Sequence, residues 1–158
     1  MPLEPEDLAH LTAAEGYVDL GMHLDANEEL EQIDPDVRHV PEVLEQRVRI
    51  YFALKKWELL YTVASRLVEF NPDEPSWRVS LAYATRRTES IVAAKDVLIE
   101  GLSRTPEIAV FHYNLACYEC QLGNIEAAKE HLSKAFTLDK GFRQIALEDA
   151  DLEPLWKV

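Results

Sequence analysis

The most reactive side chains in this sequence belong to two cysteines, Cys117 and Cys120, which form a Cys-x-x-Cys motif. A structural zinc site needs four ligands, and neither a second cysteine pair nor a typical zinc spacing of His112 and His131 supplies the other two. A redox-active motif of this kind lies at the start of a helix that follows a strand. Here the surrounding residues repeat with a helical period, which places both sulfur atoms on one face inside a helix. We therefore interpret the two cysteines as small apolar side chains that fill the packing or line a groove, and we expect no bound metal.

Other combinations of residues that could support catalysis are missing from the sequence. The five histidines are scattered, no serine–histidine–aspartate set follows from local spacing, and no glycine-rich phosphate loop occurs. The sequence therefore predicts a protein that is not an enzyme, with no catalytic residues and no cofactor.

Charge is distributed unevenly along the 158 residues, which carry 16 basic and 29 acidic side chains and a net charge of −13. Residues 1–40 hold 11 acidic side chains and a single basic one, Arg38. A phosphate backbone repels such an acidic chain, so we expect no nucleic-acid partner. No apolar run approaches the ~20 residues of a membrane span, and the first ten residues lack the features of a secretory signal. With two cysteines and no disulfide framework, the pattern predicts a cytoplasmic protein without a membrane partner.

Small and apolar residues recur in the sequence at intervals of 34 residues. Four consecutive units follow from this period, at 7–40, 41–74, 75–108 and 109–142, and we expect residues 1–142 to form one domain. Three of the recurring rows are Ala14, Val48, Ala82 and Ala116; Ala26, Leu60, Ala94 and Ala128; and Ile33, Leu67, Gly101 and Ala135.

Each unit contains two helical stretches that are separated by a turn. In the last unit, Leu115, Tyr118 and Leu122 have the three- and four-residue spacing of one helix face. Gly123 follows them, at a position where a left-handed residue can end a helix, and Gly21 has the same place in the first unit. The sequence therefore predicts helix, tight turn, helix and loop in every unit.

Proline residues mark the ends of the units. Pro72 and Pro106 end the second helices of two units, because proline cannot continue a helix and restricts the residue before it. In the first unit Pro35 comes three residues early. We therefore expect that second helix to end near Ile33 and residues 36–40 to form a loop.

The repeated pattern resembles that of the tetratricopeptide repeat (TPR) family, whose 34-residue units carry Leu-Gly, Tyr, Ala, an aromatic residue and Pro at set positions. Arg47, where leucine is usual, and Lys140, in place of the closing proline, depart from it. The resemblance implies an all-α fold, a right-handed α-solenoid of four helix–turn–helix repeats. In the fourth unit the pattern reads Leu115-Ala116, Leu122-Gly123, Ala128, Leu132 and Ala135.

Residues 143–158 are predicted to form a C-terminal capping segment, because an open stack of repeats leaves an apolar end that must be covered. The sequence is similar to small bacterial TPR proteins that end, as this one does, in Ala-Leu-Glu-Asp-x-Asp-Leu-x-Pro-Leu-Trp. Ile145 and Leu147 are expected to pack within a helix over 143–148, and Asp149 or Asp151 to cap a last turn. An alternative is that the final apolar residues dock on a partner or on the protein's own groove.

In TPR proteins the first helix of each pair lines the inner face, and the resemblance implies a peptide-binding groove there. Arginine and aromatic side chains are frequent energetic anchors at interfaces. A guanidinium beside an aromatic ring suits a peptide that carries an acidic group near an apolar anchor. The candidate groove residues are Arg49, Phe52, Val79, Tyr83, Arg86, Arg87, Tyr113, Asn114 and Cys117.

One TPR subclass holds the C-terminal carboxylate of chaperones with two lysines, two asparagines and an arginine. At those positions this sequence has Leu11, Glu15, Gln46, Ser76 and Ser80 or, one unit on, Glu45, Arg49, Ser80, Val110 and Asn114. Neither set matches, so that ligand is not expected. The predicted function is a non-catalytic protein–protein interaction module, an adaptor or scaffold that binds a peptide or helix of a partner protein. Two alternatives stay open: a specialised chaperone for a secreted protein, and a module that packs against a second copy as a homodimer.

Overall fold

The computed structural model of the chain describes residues 2–157, in which helices are joined by short turns and no β-strand occurs. None of the described helices combines the length and the apolar composition that a membrane span requires. The helices are α1 (Pro5–Asp19), α2 (His23–Leu30), α3 (Pro41–Ala53), α4 (Trp57–Phe70), α5 (Pro75–Thr88), α6 (Ile91–Arg104), α7 (Ala109–Gln121), α8 (Ile125–Leu138), α9 (Phe142–Glu148) and α10 (Glu153–Trp156), with 3-10 turns at Pro35–Val37 and Ala150–Leu152.

Consecutive helices pack in pairs, and the pairs group into two compact units. The first unit ends at Phe70 and contains α1–α4, and the second begins at Asn71 and contains α5–α10. The core of the first unit includes Leu11, Leu30, Ile33, Val43 and Ile50. The core of the second unit includes Leu98, Phe111, Leu115, Tyr118 and Leu132. The all-α architecture of paired helices that the sequence predicts is confirmed.

Fully buried alanines lie where the two helices of a pair meet. Because alanine has the smallest side chain that still favours a helix, these rows let the paired backbones approach closely without loss of helix propensity. They also explain why the 34-residue period was visible in the sequence. Ala14 on α1 and Ala26 on α2, Ala82 on α5 and Ala94 on α6, and Ala116 on α7 and Ala128 on α8 are all fully buried.

The turns within three of the helix pairs contain a residue with left-handed backbone conformation. Gly21 (φ 76°) and Gly123 (φ 83°) adopt the predicted conformation. Lys55 stands at the equivalent position of the second pair and takes the same conformation, with φ 56°. A residue with a β-carbon adopts this conformation at a cost of about 1–2 kcal/mol, so the packing of α3 against α4 sustains a turn that its own sequence disfavours.

The second helix of the first pair is shorter than predicted. The α2 helix ends at Leu30 rather than near Ile33, and a 3-10 turn occupies part of the expected loop. Asp34 accounts for this turn, because its Oδ1 accepts a hydrogen bond of 2.9 Å from the backbone N–H of Asp36. The Ile33 side chain is nevertheless fully buried.

The C-terminal helix α9 forms at the predicted place but buries a different face. Ile145 and Leu147, which were expected to pack, are 53% and 63% exposed, so that prediction is wrong. Phe142 and Ala146 face the core instead. They lie four residues apart, one helical turn, whereas the apolar positions at 145 and 147 do not share a face.

Gly101, in the interior of α6, lies where a neighbouring pair comes closest. A β-carbon at this position would meet the Arg78 side chain at 2.4 Å and the Phe111 ring at 2.9 Å. Arg78 and Phe111 are both buried, so neither can move away into solvent. Glycine at position 101 therefore reflects a packing requirement.

Replacing Gly101 by alanine should lower the free energy of unfolding by about 1–3 kcal/mol, because the added methyl overfills the contact. The matched control is Gly16→Ala in α1, where a β-carbon meets no atom within 4 Å. That substitution should leave stability unchanged or raise it by up to about 1 kcal/mol through helix propensity. Urea denaturation of both variants measures the difference, and a Gly101→Ala protein as stable as Gly16→Ala would contradict the packing argument.

Candidate functional site

The inner helices of the second unit, α5 and α7, carry most of the candidate residues, and a part of the chain's own C-terminus covers them. We call residues 149–152 the tail segment. The surface that it contacts, here called the α5–α7 face, consists of Arg86, Tyr113, Cys117, Tyr118 and Gln121.

Arg86 and Asp151 form the strongest of these contacts. The two terminal nitrogens of the guanidinium donate to the two carboxylate oxygens, Nη1 to Oδ2 at 2.6 Å and Nη2 to Oδ1 at 3.0 Å. The hydrogen bond to Asp151 raises the pKa of Arg86 and outweighs the opposing effect of burial. Gln121 adds a bond of 2.9 Å from its Nε2 to the backbone carbonyl of Asp151. The α5–α7 face thus binds both a carboxylate and a peptide carbonyl.

Asp149 is held by a second pair of donors. The Tyr113 hydroxyl donates to its Oδ2 at 2.7 Å, and the Cys117 thiol lies 3.7 Å from the same oxygen. The other carboxylate oxygen of Asp149 accepts the backbone N–H of Asp151 at 3.0 Å and caps the 3-10 turn. The Tyr113 ring also stacks on Phe142, with 4.7 Å between ring centroids. Tyr113 and Cys117 are buried under these contacts.

Tyr118 completes the α5–α7 face beneath Arg86. The Arg86 guanidinium lies 5.7 Å from the centre of the Tyr118 ring. The Tyr118 hydroxyl is buried and makes no hydrogen bond to any described residue. Leu152, at the end of the tail segment, is fully buried in the core of the second unit.

The other candidate residues on α5 and α7 contact residues of their own helix or the core of the second unit. Arg87 is exposed, and its guanidinium lies 5.4 Å from the centre of the Tyr83 ring. Its Nη2 also donates to the Tyr83 hydroxyl at 3.1 Å. Val79 is half-buried and packs against the core, and the Asn114 amide donates to the carbonyl of Val110.

The two candidate residues of the first unit lie on α3. Arg49 is exposed and donates to Asp19 at 2.7 Å and to Gln46 at 3.1 Å. Phe52 is exposed and meets the Trp57 ring edge-on, with 5.8 Å between ring centroids. A cation and an aromatic ring therefore lie within one helical turn of each other on this helix.

Cys117, Asp149 and Asp151 could be considered as metal ligands, because one donor atom from each lies within 4.8 Å of the others. The carboxylate of Asp151 already binds the Arg86 guanidinium, and that of Asp149 accepts the Tyr113 hydroxyl. Burial, with a smaller contribution from Asp149, raises the pKa of the Cys117 thiol far above its ordinary value, so this side chain is a neutral thiol at neutral pH. The arrangement suits a peptide segment held by a cation better than it suits a metal ion.

A histidine pair lies elsewhere in the second unit, and sequence spacing gave no sign of it. The Nδ1 atoms of His112 on α7 and His131 on α8 are 3.1 Å apart, and the Nε2 of His112 lies 3.1 Å from the carbonyl of Pro106. Burial, followed by the charge of His112, lowers the pKa of His131. Both histidines had been considered as ligands beside Cys117 and Cys120, but their closest polar contacts are to each other and to the backbone.

Solved structures of MamA, a TPR-like protein, match most of the chain. MamA MSR-1 is 25% identical with a TM-score of 0.69, and the match covers 83% of this chain and 75% of that one. MamA AMB-1 is 26% identical with a TM-score of 0.67, covering 84% and 72%. MamA from Desulfovibrio magneticus RS-1 is 17% identical with a TM-score of 0.73, covering 88% and 78%, which shows the fold alone. No protein-family model matches the sequence, and no curated protein does either.

These matches identify the fold. The chain has a TPR-like helical repeat fold. The resemblance that the 34-residue period indicated is therefore confirmed.

The half-buried His131 predicts a stability that falls as the pH is lowered from about 7.5 to about 5.5. An unfolded histidine has a pKa of about 6.5, and the folded His131 has a lower one, so the unfolded chain takes up the proton first and the free energy of unfolding falls. Urea denaturation at both pH values measures this slope. His131→Asn should flatten it, whereas replacing the exposed His39 should not. An unchanged slope in His131→Asn would refute the assignment.

Cys117 and Cys120 should be unreactive in the folded protein, because burial raises the pKa of both thiols. We expect alkylation by iodoacetamide to be slower than in urea by a factor on the order of 100 or more. Substituting both cysteines by alanine should preserve the helical circular dichroism spectrum. Stoichiometric zinc in the purified protein that is lost in the double variant would show that the motif binds metal.

Proposed function

We propose that this protein is a non-catalytic protein–protein interaction module, an adaptor that binds a partner segment carrying an acidic group near an apolar anchor. The observation that supports this most directly is the α5–α7 face, where Arg86, Tyr113 and Gln121 hold an acidic segment of the chain itself beside a buried leucine. Side chains that hold two aspartates and a backbone carbonyl in this way form a binding surface for that chemistry.

The exposed part of α5 extends this surface. Arg87 and Tyr83 present a cation against an aromatic ring, next to the turn of helix that carries Arg86. Such a pair can bind a carboxylate with the guanidinium and an apolar side chain with the ring. In the first unit Arg49 and Phe52 offer the same two groups on α3. We propose that these are the residues with which each unit contacts a protein partner.

The free, buried cysteines also support a place for this protein in a reducing compartment, and we propose that it acts in the cytoplasm. The alternatives, a chaperone for a secreted protein and a homodimer, differ in the partner that they predict. A single exported client would favour the chaperone, and a second copy of the chain would favour the homodimer.

The charge reversal Arg87→Glu should weaken partner binding by about 2 kcal/mol, roughly 30-fold, if Arg87 is an interface anchor. The matched control is Arg104→Glu on α6, which reverses an exposed arginine of the same unit outside the α5–α7 face. Affinity capture with each protein, followed by quantitative mass spectrometry, identifies the partners that Arg87→Glu loses and Arg104→Glu keeps. Equal recovery of every partner by both variants would overturn the assignment of this surface.

A further inference from the structure

The contacts between the tail segment and the α5–α7 face resemble those of a receptor with a peptide ligand. They join residues 65, 36, 32 and 30 positions apart in the chain, from two different helices. They involve two carboxylates and one backbone carbonyl, each with its own donor side chain. Capping of a helix end alone would need none of these long-range charged contacts.

The tail segment is also ordered by its own bonds. The Asp149 carboxylate accepts the N–H of Asp151, and the Asp149 carbonyl accepts the N–H of Leu152 at 3.1 Å. This turn points both carboxylates at the α5–α7 face while the leucine enters the core. The ligand chemistry is therefore Asp-x-Asp followed directly by an apolar residue. A segment that forms this turn by itself loses little conformational entropy on binding.

Arg86 makes an empty face unfavourable. Its side chain is 18% exposed with the tail segment in place, and Asp151 supplies the counter-charge of this partly desolvated cation. The Tyr118 hydroxyl, buried under the same guanidinium, remains without a hydrogen bond when the tail segment is in place. A buried hydroxyl in that state is costly.

The residues that flank the tail segment are held unequally. Glu148, Glu153 and Pro154 are exposed, whereas Leu155 packs against the core of the second unit. The Trp156 indole donates to the carbonyl of Ala146, which belongs to the same C-terminal stretch. Departure of the tail segment withdraws the fully buried Leu152 from the core, so a peptide that displaces it needs an apolar residue to fill the same position.

We propose that the tail segment is an internal ligand of the α5–α7 face, and that a partner peptide of the form Asp-x-Asp-apolar binds by displacing it. This inference rests on the proposed function. It adds the chemical class of the partner peptide, and it identifies the tail segment as a competitor that lowers the affinity for that peptide. An internal ligand acts at a millimolar effective concentration. It therefore weakens every external peptide that uses Arg86 and Tyr113.

A synthetic, fluorescein-labelled peptide of residues 146–157 tests the proposal by fluorescence anisotropy. The receptor is the full chain with Asp149→Asn and Asp151→Asn, which removes both carboxylates of the tail segment and leaves the α5–α7 face intact. We expect this variant to bind the peptide at least about tenfold more tightly than the unmodified chain. The control variant Glu153→Gln, which alters an exposed acid paired with Lys157, should bind like the unmodified chain.

Two further measurements define specificity. The same peptide with both aspartates replaced by asparagine should not bind, and adding Arg86→Gln to the double variant should abolish binding. If the double variant loses its helical circular dichroism signal, Asp151→Asn alone replaces it, because Asp149 then still binds Tyr113.

Equal affinity of the double variant and the unmodified chain, or no binding by either, would overturn the proposal. So would an unmodified chain that is a dimer and becomes a monomer with Asp151→Asn, since the tail segment would then bind a second copy. A third outcome separates the two proposals. If the peptide does not bind, but partners are still lost with Arg87→Glu and kept with Arg104→Glu, the internal ligand is overturned. The proposed function then still holds.

Discussion

The guanidinium of Arg86 imposes the constraint that organises the C-terminal part of this protein. Its side chain is largely withdrawn from water, and a desolvated cation is stable when a carboxylate neutralises it in good geometry. Asp151 meets that requirement with two parallel hydrogen bonds. The position of Asp151 in turn fixes the 3-10 turn, brings Asp149 to Tyr113 and directs Leu152 into the core. A single ion pair thus places a segment that has little regular structure of its own.

The repeat period acts on a different scale, through side-chain size. Alanine at the contacts within a pair allows close packing, and glycine at position 101 marks a place where even a methyl group meets its neighbours. The alanines recur every 34 residues in three of the pairs because the two helices of those pairs pack in the same way, whereas the glycine occurs in one pair alone. The turns are less strict, as Lys55 adopts a conformation for which two other pairs use glycine.

The same distinction explains what could be predicted from the sequence. Helix pairs were predictable because their packing is set by residues close together in the chain, which leave a periodic trace. The face that α9 buries was not, because seven residues hold two apolar sets and tertiary contact selects between them. The binding of Asp151 to Arg86 joins positions 65 residues apart and leaves no periodic signal. Arg86, Tyr113 and Cys117 were chosen as candidates for an external acidic ligand, and in the structure they hold an internal one.

The different exposures of Arg86 and Arg87 have a consequence for the response to ionic strength. Mobile ions screen exposed charges strongly and partly buried pairs much less. Arg87 is exposed, whereas Arg86 and Asp151 are 18% and 28% exposed. Added salt therefore weakens attraction between Arg87 and an acidic partner more than it weakens the hold on Asp151. At low salt concentration this surface would favour a foreign peptide. At high salt concentration it would favour the chain's own C-terminus.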